Sequence, residues 1–133
     1  MTDARSYEVG DVPGHVIGLI VQKGLSFAES GEVGTCTGYI TIDYINGKGR
    51  HDGYSVVTYD DGSTQLSRAQ GSTTPTRGGK RSKFEGSLTY VGGTGRFKGM
   101  SGGGSYTGKR VAPLAEGADC YMDVTATYTL PDR

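Results

Sequence analysis

From Met122 to Leu130 apolar and polar side chains alternate without a break, with Met122, Val124, Ala126, Tyr128 and Leu130 set against Asp123, Thr125, Thr127 and Thr129. A strand repeats every two residues, so this pattern predicts a strand with one dry face. Phe84–Tyr90 and Ile40–Tyr44 alternate in the same way, each bounded by glycine or polar turn residues. Asn46-Gly47 and Asp60-Asp61-Gly62 are tight-hairpin signals, and Pro75 to Gly79 predicts a longer loop. Together these features predict strands near 5–11, 15–29 (kinked at Gly24), 32–45, 49–60, 63–74, 81–91, 101–109 and 119–130, with no substantial helix.

Eight strands joined mostly by short links form an antiparallel meander. The architecture expected is an all-β, eight-stranded up-and-down β-barrel, with a β-sandwich as the alternative. Closure removes exposed sheet edges, and eight strands enclose just enough space for side chains or one small ligand. Glycine supplies 24 of the 133 residues, and several fall inside the predicted strands, where they permit tight coiling. The length fits one domain over residues 1–133, with residues 1–5 expected to be flexible.

Composition narrows the classes further. Nine tyrosines and sustained alternation argue against disorder. No stretch reaches the roughly 18 to 20 apolar residues of a membrane span, and the start lacks the apolar core of a secretory signal, so a cytoplasmic protein without membrane contact is expected. Cys36 and Cys120 then read as small buried hydrophobes more readily than as a disulfide. Their spacing matches no zinc motif, and His15 and His51 are the only histidines, so no metal is assigned. The chain holds 14 basic and 14 acidic residues, yet eight of the basic ones lie between Arg77 and Arg110 with Glu85 as the sole acid there. Those charges cluster around predicted turns without an aromatic stacking platform, which argues against nucleic-acid binding.

The stretch Leu88-Thr89-Tyr90-Val91-Gly92-Gly93-Thr94-Gly95-Arg96-Phe97-Lys98-Gly99 resembles the Gly-Gly-Thr/Ser-Gly-x-Phe-x-Gly signature of the allene oxide cyclase and dirigent barrel superfamily. Tyr7-Glu8-Val9 looks like the opening of the plant cyclases, and Tyr59-Asp60-Asp61-Gly62 and Gln70-Gly71 fall where that barrel would have them. The resemblance implies a barrel with Phe97 plugging one end, Glu8 on the family's first-strand carboxylate and Gln22 on an amide position. It departs from the family at Gly10, where an asparagine is expected, and at Thr73, which replaces a tyrosine; Pro13 is a doubtful counterpart of a water-seating proline.

The candidate acid/base groups are Glu8, which alternation places opposite Tyr7 and Val9, and His15, which shares a parity with Ile17, Leu19 and Val21 and so is expected to face the lumen. Gln22 lies on the other parity, so periodicity and resemblance conflict there. Tyr39, Tyr54, Tyr90, Tyr106 and Tyr128 are candidates for a ligand-lining wall, their hydroxyls available to a substrate oxygen. The function expected is a cofactor-independent isomerase or cyclase acting on a hydrophobic or aromatic small molecule, with a lipocalin-like carrier or sensor as the alternative. Self-association as a dimer or trimer fits either, as it fits a filled structural barrel.

Overall fold

A computed structural model describes residues 2–76, 81–111 and 120–131. Its strands are β1 (Thr2–Glu8), β2 (His15–Phe27), β3 (Val33–Ile45), β4 (Lys48–Thr58), β5 (Thr64–Thr76), β6 (Arg81–Thr94), β7 (Ser101–Arg110) and β8 (Cys120–Thr129), with a single 3-10 turn at Gly95–Phe97. All eight form one antiparallel sheet in the order β1-β2-β3-β4-β5-β6-β7-β8. The meander is therefore as alternation predicts. The barrel is not: no ladder joins β1 to β8 among the described residues, and a single uninterrupted sheet replaces the two layers of a sandwich. No described helix is long and apolar enough to cross a membrane.

Two expectations at the start of the chain need correction. Residues 2–5 pair with residues 22–19 of β2, so β1 runs from Thr2 to Glu8 where a strand near 5–11 is expected. Gly24 pairs with Cys36 in an unbroken ladder, so no register break accompanies the expected kink. The irregularity lies instead between Leu66 and Ser67, whose partners are Gly92 and Tyr90, leaving Val91 as the extra residue of a β-bulge. The Asn46-Gly47 hairpin turns as its sequence dictates, with φ of 52° and 81°. Only the first part of the predicted 75–79 loop lies within the described residues, as the end of β5.

Cross-strand Cα partners share a face, so the ladders assign every strand residue to one side. The face that carries Ile20, Ile42, Tyr44, His51, Thr73, Phe84 and Tyr106 holds nearly all the buried strand side chains. A single sheet can bury one face only by curling onto itself, and side chains from distant strands accordingly meet across it. Gln22 Nε2 on β2 lies 3.1 Å from Cys120 Sγ on β8. Following the ladders from Gln22 strand by strand leads to Tyr128, eight residues further along β8. That offset is the stagger produced by strands tilted about a common axis. The face is concave.

Two clusters fill it. Ile20, Ile42 and Tyr44, with Ile40 packed beside them, form one. Tyr59, Phe97 and Met100 form the other, flanked by Val57 and Tyr90. Phe97 plugs this end, with its ring centroid 5.6 Å from that of Tyr59 and 5.9 Å from that of Tyr128.

Candidate functional site

A polar layer adjoins the Ile42–Tyr44 cluster, away from Phe97. His51, Thr73 and Arg110 are the buried polar strand residues of the concave face, and Tyr106 joins them with 4% of its surface exposed. His51 on β4 is in register with Gly71 on β5, Gly86 on β6 and Tyr106 on β7. The two glycines make the layer possible. A Cβ on Gly71 would stand 2.6 Å from the Tyr106 hydroxyl and 2.8 Å from His51 Nε2, and one on Gly86 would stand 2.5 Å from the same hydroxyl. Without side chains there, Tyr106 reaches across two strands to meet the imidazole.

His51 Nε2 lies 2.5 Å from the Tyr106 hydroxyl and Nδ1 lies 2.9 Å from Thr73 Oγ1, which in turn lies 2.7 Å from the Tyr44 hydroxyl. Burial pushes the His51 pKa below its ordinary value; the Asp52 charge opposes the shift and the Arg110 charge adds to it. The imidazole is therefore neutral at pH 7, donating from one nitrogen and accepting at the other. Burial also pushes the Tyr106 phenol up to about 12, so its proton stays on oxygen. In one arrangement Tyr106 donates to Nε2 and Nδ1–H donates to Thr73. In the other, Thr73 donates to Nδ1, Nε2–H donates to Tyr106, and the Tyr106 O–H turns outward. The network is thus a relay whose donor end switches between its two termini.

Beside it, the Arg110 guanidinium carbon sits 5.0 Å from the centre of the Phe84 ring, and Phe84 meets His51 edge-on at 5.7 Å. Toward β8 the concave face is open. Met122, Val124 and Tyr128, in register with Gly108, Tyr106 and Gly102, are 38%, 52% and 45% exposed. An uncovered apolar strip thus adjoins the relay.

The sequence candidates fall on both sides of the sheet. Glu8 does lie on the concave face, opposite Val16, but on an edge strand and exposed to solvent. His15 faces the other way, because the buried parity of β2 is that of Ile20 and Gln22, whereas Ile17 and Leu19 are 45% and 46% exposed. It lies 2.7 Å from Asp11 and 2.6 Å from Asp43, tying the β1–β2 turn to β3. Hydrogen bonds to Asp11 and then Asp43 raise its pKa. Gln22 shares the buried parity of Ile20 and faces the concave side. Tyr39 and Tyr54 oppose each other on the convex face, half exposed, away from the relay. Tyr90, Tyr106 and Tyr128 are on the concave face; Tyr90 and Tyr128 meet edge-on at 6.0 Å, and desolvation raises the Tyr90 pKa.

His51 is the residue that sequence reasoning misses. Its neighbours Arg50 and Asp52 hide any alternation, but the glycines two positions away on either side, Gly49 and Gly53, mark a strand face cleared for a large side chain. Cys36 and Cys120 are unbridged thiols, Cys36 lying 3.5 Å from Ser55 Oγ. Of the basic segment, Arg77 and Lys80 lie outside the described residues. Arg96 is held by Glu32 and Asp61, and Lys83 and Lys109 stand opposite each other on the convex face. Comparison with protein-family models, curated proteins and solved structures finds no significant match.

Proposed function

We propose that the concave face binds a hydrophobic or aromatic small molecule and that the Tyr106–His51 relay promotes its isomerisation or cyclisation without a cofactor. The observation that carries this reading is the 2.5 Å hydrogen bond between a neutral, buried imidazole and a phenol beside an open apolar strip. Tyr106 donates a hydrogen bond to a ligand oxygen as negative charge develops there, and His51 with Thr73 behind it keeps the phenol oriented. Apolar walls hold the reacting chain in position. The resemblance of Leu88–Gly99 to the signature of allene oxide cyclase-like proteins supports this reading.

A carrier without chemistry is the second reading, favoured by one observation: both His51 nitrogens already have partners within the fold. The two readings separate with 2-tetralone, an aromatic ketone with exchangeable α-hydrogens, in deuterated buffer. Catalysis predicts shifts of Val124 and Met122 methyl resonances on binding and deuterium uptake above the buffer rate. Tyr106→Phe should then bind within about twofold of wild type and lose at least tenfold in exchange. Binding with buffer-rate exchange in both proteins leaves the carrier. Absence of binding removes both.

A further inference from the structure

Arg110 is 7% exposed, yet its Nε finds no hydrogen-bond partner. No ion pair reaches its guanidinium among the described residues, and the guanidinium lies over the face of Phe84. A buried guanidinium without an anion is costly, and a ring face offsets only part of that cost. Folds retain such groups where something outside the chain completes them.

We propose that Arg110 is an anion subsite that receives the carboxylate of the ligand bound on the concave face. The inference rests on the ligand-binding reading above and adds the chemical class of the ligand, a hydrophobic or aromatic carboxylic acid. Arg110 lies on the same strand and face as Tyr106, with Gly108 between them on β7 and the Phe84 ring, opposite Gly108, touching both the guanidinium and His51. Its neighbour across the ladder is Cys120, whose thiol receives the Gln22 amide, so the polar groups gather at this end of the face while the apolar strip leads away from it. The guanidinium fork matches the two oxygens of a carboxylate. A phosphate monoester fits worse. It carries close to two negative charges, and the adjacent imidazole stays neutral and supplies no second cation.

The test uses decanoate, decanol and acetate against the full-length protein and Arg110→Gln, with Arg96→Gln as a surface control. Affinities come from calorimetry and the site from the Nε–H resonance of Arg110. Decanoate is expected to bind wild type and Arg96→Gln at least tenfold tighter than decanol and to shift the Nε–H resonance. In Arg110→Gln that preference should vanish while decanol affinity stays within about twofold. Equal affinity for decanoate and decanol in wild type overturns the anion subsite and leaves the ligand-binding face standing. A shift of the Arg110 resonance by acetate with neither decyl compound bound keeps the subsite and overturns the face. No binding and no shift overturns both. Arg110→Lys extends the comparison should Arg110→Gln fail to fold: a carboxylate subsite retains part of the preference through the ammonium.

Discussion

Two arginines stack on phenylalanine rings at opposite ends of the concave face. Arg96 lies 4.6 Å from the centre of Phe97, and Arg110 lies 5.0 Å from the centre of Phe84. Arg96 also covers Tyr59, donates through both terminal nitrogens to the Glu32 carboxylate and places Nε 3.1 Å from Asp61. It lines a surface pocket of about 290 Å³ with those two acids, Val33 and Asp60, and the anionic demand of that pocket is already met. Among the described residues Arg110 has the Phe84 ring and no ion pair, and its buried Nε has no hydrogen-bond partner. A guanidinium paired with two acids outside an aromatic cluster is an element of stability, whereas one with an unsatisfied buried Nε beside the His51 network fits the anion subsite proposed above.

If that division is right, the Phe97 end carries the fold. Phe97→Ala removes a ring that is 4% exposed and packs against Tyr59, Tyr128 and Arg96. It should lower the unfolding free energy by about 3 to 5 kcal/mol in urea titrations. A loss below 1 kcal/mol would mean that this end is loosely packed and would erase the contrast.

The opposite sign is expected at the other end. Arg110→Met keeps the volume over Phe84 and removes the uncompensated charge, so stability should rise by about 1 to 3 kcal/mol after the lost ring contact is allowed for. Thermal unfolding at low and high salt measures it. A destabilised Arg110→Met would mean that the guanidinium holds the fold together and is not poised for a ligand.

The two regions also differ in how far the amino-acid sequence alone reveals them. The Gly92–Phe97 turn and the plug are readable because glycines and an aromatic stand at fixed offsets where few alternatives fit. The strands are readable because alternation is a backbone property. Which face is inside is not readable on β2, where His15, Ile17, Leu19 and Val21 on one parity are as apolar as Val16 and Ile20 on the other. Packing against β3 decides it: Ile20 meets Ile42 and Tyr44, while Ile17 and Leu19 meet nothing comparable. The relay is half legible. Tyr106 stands in a clear pattern, but its partner His51 comes from a strand marked mainly by its turns, and the contact depends on Gly71 and Gly86 aligning in register, a long-range property that no local window contains.

The smallest expected effect separates the two histidines by pH. His51 has a depressed pKa in the folded chain, so protonation favours the unfolded state. Its contribution to stability is present above the unfolded value of about 6.5 and is lost as pH falls from there through the folded pKa. His15 has a raised pKa, so its contribution is fully present below about 6.5 and is lost as pH rises through the folded value. The two windows meet near about pH 6.5, so the wild-type profile should be highest there and decline toward both acid and alkaline pH. His15→Asn removes the acid-side gain from the β1–β2 turn and leaves the His51 loss, so its stability should fall as pH drops. His51→Gln should do the reverse, becoming relatively more stable in acid. Urea midpoints taken at half-unit pH intervals give the slopes directly, and parallel profiles for the two variants would show that burial of His51 and pairing of His15 do not govern their protons as described.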